Sequence, residues 1–341
     1  MTRDHHKVGV ERIVRSLRVL AVSSIVPAAL SAQDPAKVVG PAECVECHEA
    51  AHDVWQETLH QSVYETFHSA EETLAVLERM GERSARRAVC VDCHYTSQDD
   101  GRRVRTIAGV SCESCHGAAA DWLDAHGNFG MTAGGERADA STETRAHRTQ
   151  RLQTTAAAGM IRPDRPYLLV RNCLQCHTTP NEELVNTGQH APGSDFEIVP
   201  RLFGEIRHNF QLSGDATNRM AARAYDPTNR KRLFFVLGEM VELEHALRGL
   251  AEATTAGTYA TAMADRARQA MERLRAIQSA APAVAAVEQI LAAADGVELA
   301  PNNGAALAAA ADEAQAAAQA FARQHDGSAL GGLDALVPAI N

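Results

Sequence analysis

Cys44-Val45-Glu46-Cys47-His48, Cys90-Val91-Asp92-Cys93-His94, Cys112-Glu113-Ser114-Cys115-His116 and Cys173-Leu174-Gln175-Cys176-His177 are four copies of one pentapeptide, and they use all eight cysteines of the chain. Cys-x-x-Cys-His is the attachment signature of c-type haem, in which two thiols form thioethers with the porphyrin vinyl groups and the next imidazole reaches the iron. Disulfides and zinc ribbons also use paired cysteines, but neither requires a histidine directly after every second one. The repeat therefore predicts four covalently bound haem c groups with iron. Cys44, Cys47, Cys90, Cys93, Cys112, Cys115, Cys173 and Cys176 hold the porphyrins, and His48, His94, His116 and His177 are the proximal ligands.

Upstream of the first motif, residues 1–32 read as an export signal. Arg3, Lys7, Arg12, Arg15 and Arg18 precede an apolar run over 19–30, which ends in Ser31-Ala32. The run is short for a membrane span and contains Pro27, so a cleaved signal is preferred over an uncleaved anchor. Covalent haem attachment takes place outside the cytoplasm, and the expected location is the periplasm or an equivalent exported compartment. Loss of the segment's five bases and two acids would take the formal charge from -10 to -13. That charge argues against nucleic acid as a partner and favours a redox protein, donor or acceptor, with a basic docking surface.

The chain divides by composition. Residues 33–215 carry all four motifs amid Gly, His and charged residues, and aromatics make up only 4% of the sequence. The peptide alone lacks the apolar side chains for a core there, so a tetrahaem domain of short helices and long loops wrapped around porphyrin is expected. Residues 216–341 contain no cysteine and read as an α-helical bundle. Asp226-Pro227 is an N-cap followed by a first-turn proline, and Leu233, Leu237, Met240, Val241, Leu247 and Leu250 recur at helical spacing. An interruption at 254–257, helices over 258–279 and 283–294, and an Ala-rich helix from Gly304 to Gln324 complete the pattern. The fold class is mainly α. The bundle is either a cap or a surface for docking.

The sixth ligand of each iron sets its reactivity. Outside the signal and the four motifs stand His52, His60, His68, His126, His147, His190, His208, His245 and His325. They suffice for every iron, whereas no methionine has a context that suggests ligation. His52 and His68 sit at helical offsets from His48 and His60 and read as surface neighbours. His147 follows a polar stretch, and His245 and His325 are expected on solvated helical faces.

Trp55-Gln56-Glu57-Thr58-Leu59-His60, Gly109-Val110-Ser111 leading into Cys112-Glu113-Ser114-Cys115-His116-Gly117, and His126 ten residues beyond His116 resemble the tetrahaem cytochrome c554 family of hydroxylamine-oxidising bacteria, over about residues 40–214. The resemblance implies that His126 is the distal ligand of the first haem, His208 of the third and His60 of the fourth. In that family the second haem has no distal protein ligand. Here His190, in Gly188-Gln189-His190-Ala191-Pro192-Gly193, stands in the segment that covers that open face. If it reaches the iron, all four haems are bis-His; if it misses, it is a hydrogen-bond donor beside an open iron.

The preferred reading is an electron-transfer protein rather than an enzyme: a periplasmic tetrahaem carrier of single electrons, whose bis-His haems have potentials below those of His/Met cytochromes. A reductase of nitric oxide or a related nitrogen oxide, working at an open second haem, is one alternative. A haem subunit of a membrane-bound or larger oxidoreductase complex is another.

Overall fold

In an α-helix, residues three and four apart share one face, so Cys-x-x-Cys-His in helical form presents both thiols and the imidazole on one side. The computed structural model, which describes residues 33–206 and 226–340, builds the motifs in this way. The expected export signal and His208 lie outside those residues. The first motif lies in α1 (Pro41–Gln56), whose helical path breaks at His48 (φ -122°, ψ 41°). Helices α2 (Leu59–Thr66) and α3 (Glu71–Met80) follow, α3 ending on Gly81 in the left-handed region that glycine adopts without strain. The second motif ends α4 (Val91–His94) and the third forms α5 (Cys112–His116). Between them runs an antiparallel hairpin of β1 (Thr96–Asp99) and β2 (Val104–Ala108). After α6 (Leu123–Gly127) and α7 (Arg145–Ala157), the fourth motif closes α8 (Pro166–His177). Two short helices, α9 (Glu182–Asn186) and α10 (Ile198–Pro200), and a π-helical turn over Arg201–Glu205 follow.

The peptide core around the first three motifs is thin. It consists of one cluster of Leu77, Ala85, Ala88, Cys90 and Tyr95, and another of Ala119, Trp122 and Met160. The large core lies instead among α11 (Pro227–Glu252), α12 (Thr258–Ala280), α13 (Ala285–Ala294) and α14 (Gly304–Gln324). These helices begin and end close to where the sequence predicts. Asp226 caps α11 by accepting from the Asn229 amide at 2.8 Å. Their alanines, among them Ala267, Ala270, Ala311, Ala314 and Ala318, are buried and let the helices approach closely.

The apolar residues that recur at helical spacing are only part of what α11 buries. Leu233, Phe234, Phe235, Val236 and Leu237 are five consecutive buried residues, more than one full turn, so this stretch of the helix is buried all round. The face expected to meet solvent meets α8 and α10, which contribute Tyr167, Val170, Leu174, Ile198 and Val199 to the same core. The fourth motif is thereby packed into the helical half, and residues Ala32–Asn341 form one compact unit. Among the described residues, no helix is long and apolar enough to cross a membrane.

Candidate haem-binding site

All eight cysteines are free of disulfides, and their thiols meet across motifs. Cys44 of the first motif shares a hydrogen bond with Cys112 of the third, and Cys93 of the second shares one with Cys176 of the fourth. In each pair one thiol is pushed above its ordinary value and the other is held below it, because the pair shares a hydrogen. Cys115 and Cys173 link the third motif to the fourth; burial raises them to about 11 and about 12. The Asn172 amide donates to the carbonyls of Ser114 (2.5 Å) and Cys115 (3.3 Å), tying α8 to α5. In space the motifs run first, third, fourth, second. Among the described residues, no group of three or more His, Cys, Asp or Glu is arranged to hold a bare metal ion.

An imidazole nitrogen lies about 2 Å from a metal it ligates and about 1 Å from its own ring centre, so two rings on opposite sides of one iron have centroids about 6 Å apart. Three motif histidines face a second histidine at that separation. His48 faces His126 at 6.0 Å, His60 faces His177 at 6.2 Å and His94 faces His190 at 6.3 Å. The fourth, His116, bonds through Nδ1 to the Ile161 carbonyl at 2.8 Å; its expected partner, His208, is outside the described residues. Burial lowers the pKa of His48, His60, His94, His116, His126 and His177, and His94, His126 and His177 fall to about 4. These six rings are thus neutral at neutral pH, the form that ligates a metal.

Local structure aims each distal candidate. The Trp55 indole donates to the Val110 carbonyl (2.8 Å) while the Val110 amide donates to the His60 carbonyl (2.9 Å). A Cβ on Gly109 would lie 2.2 Å from that His60 carbonyl, so only glycine fits there. Gly109→Ala should therefore displace His60 and destabilise the haem-loaded protein by about 1–3 kcal/mol, as overpacking does, measured by denaturant unfolding. Unchanged stability would contradict the close approach.

His126 follows Trp122, whose ring meets it edge-on at 5.8 Å. Its carbonyl accepts from Arg151 (3.2 Å), a buried guanidinium held by both oxygens of Glu143 at 2.7 Å. His147, also bonded to Glu143 (2.8 Å), belongs to this support. His190 rides on a tight turn in which Gln189 is left-handed (φ 56°) and Gly188 has no room for a Cβ, the Leu184 carbonyl being 2.5 Å away. Arg79 of α3 donates to the Gly188 carbonyl (3.0 Å) and secures the turn.

Several supporting residues carry no sequence signal of their own. Phe67 stacks on His94 at 3.9 Å and Phe196 on His177 at 4.2 Å. The Ser194 hydroxyl bonds to His177 Nδ1 at 2.9 Å. Glu113, inside the third motif and 1% exposed, accepts from the amides of Val39 (3.0 Å), Gly40 (2.7 Å) and Ala119 (2.8 Å). It clamps the entrance of α1 to α5, and with it the first motif to the third. Of the remaining histidines, His52 meets Trp55, His68 is exposed, and His325 stacks on Phe321. His245 departs from its expected solvated position: its Nε2 is buried without a hydrogen-bond partner, and burial lowers its pKa to about 3. The cause is the same α8 contact that buries the second face of α11.

Residues 43–117 match the sequence model of the family described as cytochrome c554 and c-prime. The match spans the first three motifs, so that segment is similar in sequence to c-type cytochromes. The fourth motif and the bundle lie beyond it. No curated protein and no solved structure matches the chain.

Proposed function

We propose that the protein is a periplasmic tetrahaem c-type cytochrome that carries single electrons between redox partners. Thioethers from the eight motif cysteines would hold four haems, with His48 and His126 on the first iron, His94 and His190 on the second, His116 and His208 on the third, and His177 and His60 on the fourth. Bound there, each iron exchanges one electron between its ferric and ferrous forms. The observation that carries this reading is the set of three histidine pairs with ring centres 6.0–6.3 Å apart, each with a motif histidine on one side.

The unbroken succession of motif contacts supports a carrier, since electron transfer needs neighbouring centres and no substrate pocket. The His94 and His190 pair supports ligation at the second iron, which a nitrogen-oxide reductase would need open. Residues 1–32 act in this reading as a cleaved export signal, 33–215 as the haem domain and 216–341 as its helical partner. The acidic surface docks basic patches on donor and acceptor.

Protein matured with a cytochrome c assembly system should carry four haems by intact mass, and electron paramagnetic resonance of the oxidised form should show only low-spin iron. Three or fewer haems on folded protein would overturn the assignment of the motifs.

A further inference from the structure

A cavity of about 470 Å³ lies between α11, α12 and residues 192–198. It borders the fourth motif. Phe196, which lines it, stacks on His177. Ser194 joins the His177 imidazole to the cavity: its hydroxyl bonds to Nδ1, and its carbonyl accepts from Arg266 at 3.0 Å. Arg266 forms an ion pair with Glu242 at 2.6 Å, without hydrogen-bond alignment.

Deeper in the wall is Glu239, 4% exposed. Its Oε1 lies 3.4 Å from Arg273, which is held more closely by Glu197, and its Oε2 has no hydrogen-bond partner. A buried carboxylate oxygen without a donor is costly, and the group avoids that cost by holding a proton. The charged groups facing it are Arg273, Arg266 and Asp265 from α12, Asp195 and Glu197 from the loop, and Glu242 from α11 itself. α8 and α10 contribute the apolar Leu174 and Ile198. Two guanidiniums thus face four other carboxylates. Burial, reinforced by Glu197 and Glu242 and opposed by Arg273, raises Glu239 to about 8.

We propose that Glu239 is a proton-binding site linked to the redox state of the haem at His177, so that the protein takes up a proton as that centre is reduced. The inference rests on the proposed haem at the fourth motif. One electron arrives from a one-electron protein donor and one proton arrives from solvent onto Glu239 Oε2; on oxidation both leave. Reduction adds negative charge on the other side of the Phe196 wall and tightens the proton, and by linkage the proton favours the reduced form. The sign follows: below about pH 8 Glu239 is protonated in both states and the potential is flat; above it, the potential falls until the reduced form also loses the proton.

Redox titration of the full-length, haem-loaded protein from about pH 6.5 to about pH 10 tests this. One midpoint potential should fall above about pH 8, by about 59 mV in all if reduction tightens proton binding about tenfold. Glu239→Gln, close to isosteric and unable to ionise, should flatten it. In the unmodified protein, the reduced-minus-oxidised infrared difference spectrum near pH 8.5 should show a protonated-carboxyl band on reduction, a readout independent of how the variant folds. Four haems with a potential indifferent to pH, a slope unchanged in the variant, or no carboxyl band would each overturn the proposal. A folded protein without haem at Cys173 and Cys176 would instead overturn the functional reading beneath it.

Discussion

His190→Ala should convert one haem from low-spin to high-spin and speed the binding of carbon monoxide by at least about 100-fold, because an incoming ligand would no longer displace an imidazole that adds about 3 kcal/mol to the barrier. The prediction follows from the 6.3 Å separation of the His94 and His190 rings and from the constrained Gly188-Gln189 turn that presents His190. Stopped-flow mixing of the reduced protein with carbon monoxide, paired with electron paramagnetic resonance of the oxidised form, measures both effects. Fast stoichiometric binding and a high-spin signal in the unmodified protein would refute ligation by His190 and favour a nitrogen-oxide reductase.

Glu113→Ala should be among the most destabilising single substitutions outside the iron ligands. It leaves the amides of Val39, Gly40 and Ala119 without their acceptor in a buried setting. Each orphaned donor costs about 1–3 kcal/mol, so a loss of about 4 kcal/mol and a fall in Tm of about 10 °C are expected. Glu113→Gln keeps one acceptor oxygen and should lose about half as much. Thermal unfolding of the two variants beside the unmodified protein checks the order. Equal Tm values for all three would show that the clamp is unimportant.

What could be read from the sequence was what depends on local pattern. The Cys-x-x-Cys-His spacing is written within five residues, and helix boundaries at Asp226-Pro227, 254–257 and Gly304 follow from capping, interruption and periodicity, which neighbouring residues determine. His60, His126 and His190 could be singled out through the resemblance, the first two at positions that match the family and the third as a departure from it. The resemblance also implied which haem each would serve, whereas the ring separations arise only where distant segments meet. Glu113 occupies a variable position of its motif and looks like any charged residue there; its role arises from the amides of Val39 and Gly40, more than 70 positions away. The burial of His245 and of the second face of α11 was unreadable for the same reason: α8 covers them, and periodicity within α11 carries no record of α8. Ser194 and Glu239 matter through the cavity wall they share, another product of tertiary contact.

The embedding of α8 in the helical core bears on how the protein is made. Cys173 packs against that core, and Leu174 beside it is 2% exposed. An assembly enzyme that joins haem to Cys173 and Cys176 must reach thiols that the finished protein largely encloses. If the chain is exported from its N-terminus as proposed, α8 emerges before α11, the helix that buries it. Attachment at the fourth motif therefore belongs to the interval before α11 docks. Closing of the helical core would then seal a completed site, and on the proposed export route maturation would be ordered by the direction of secretion.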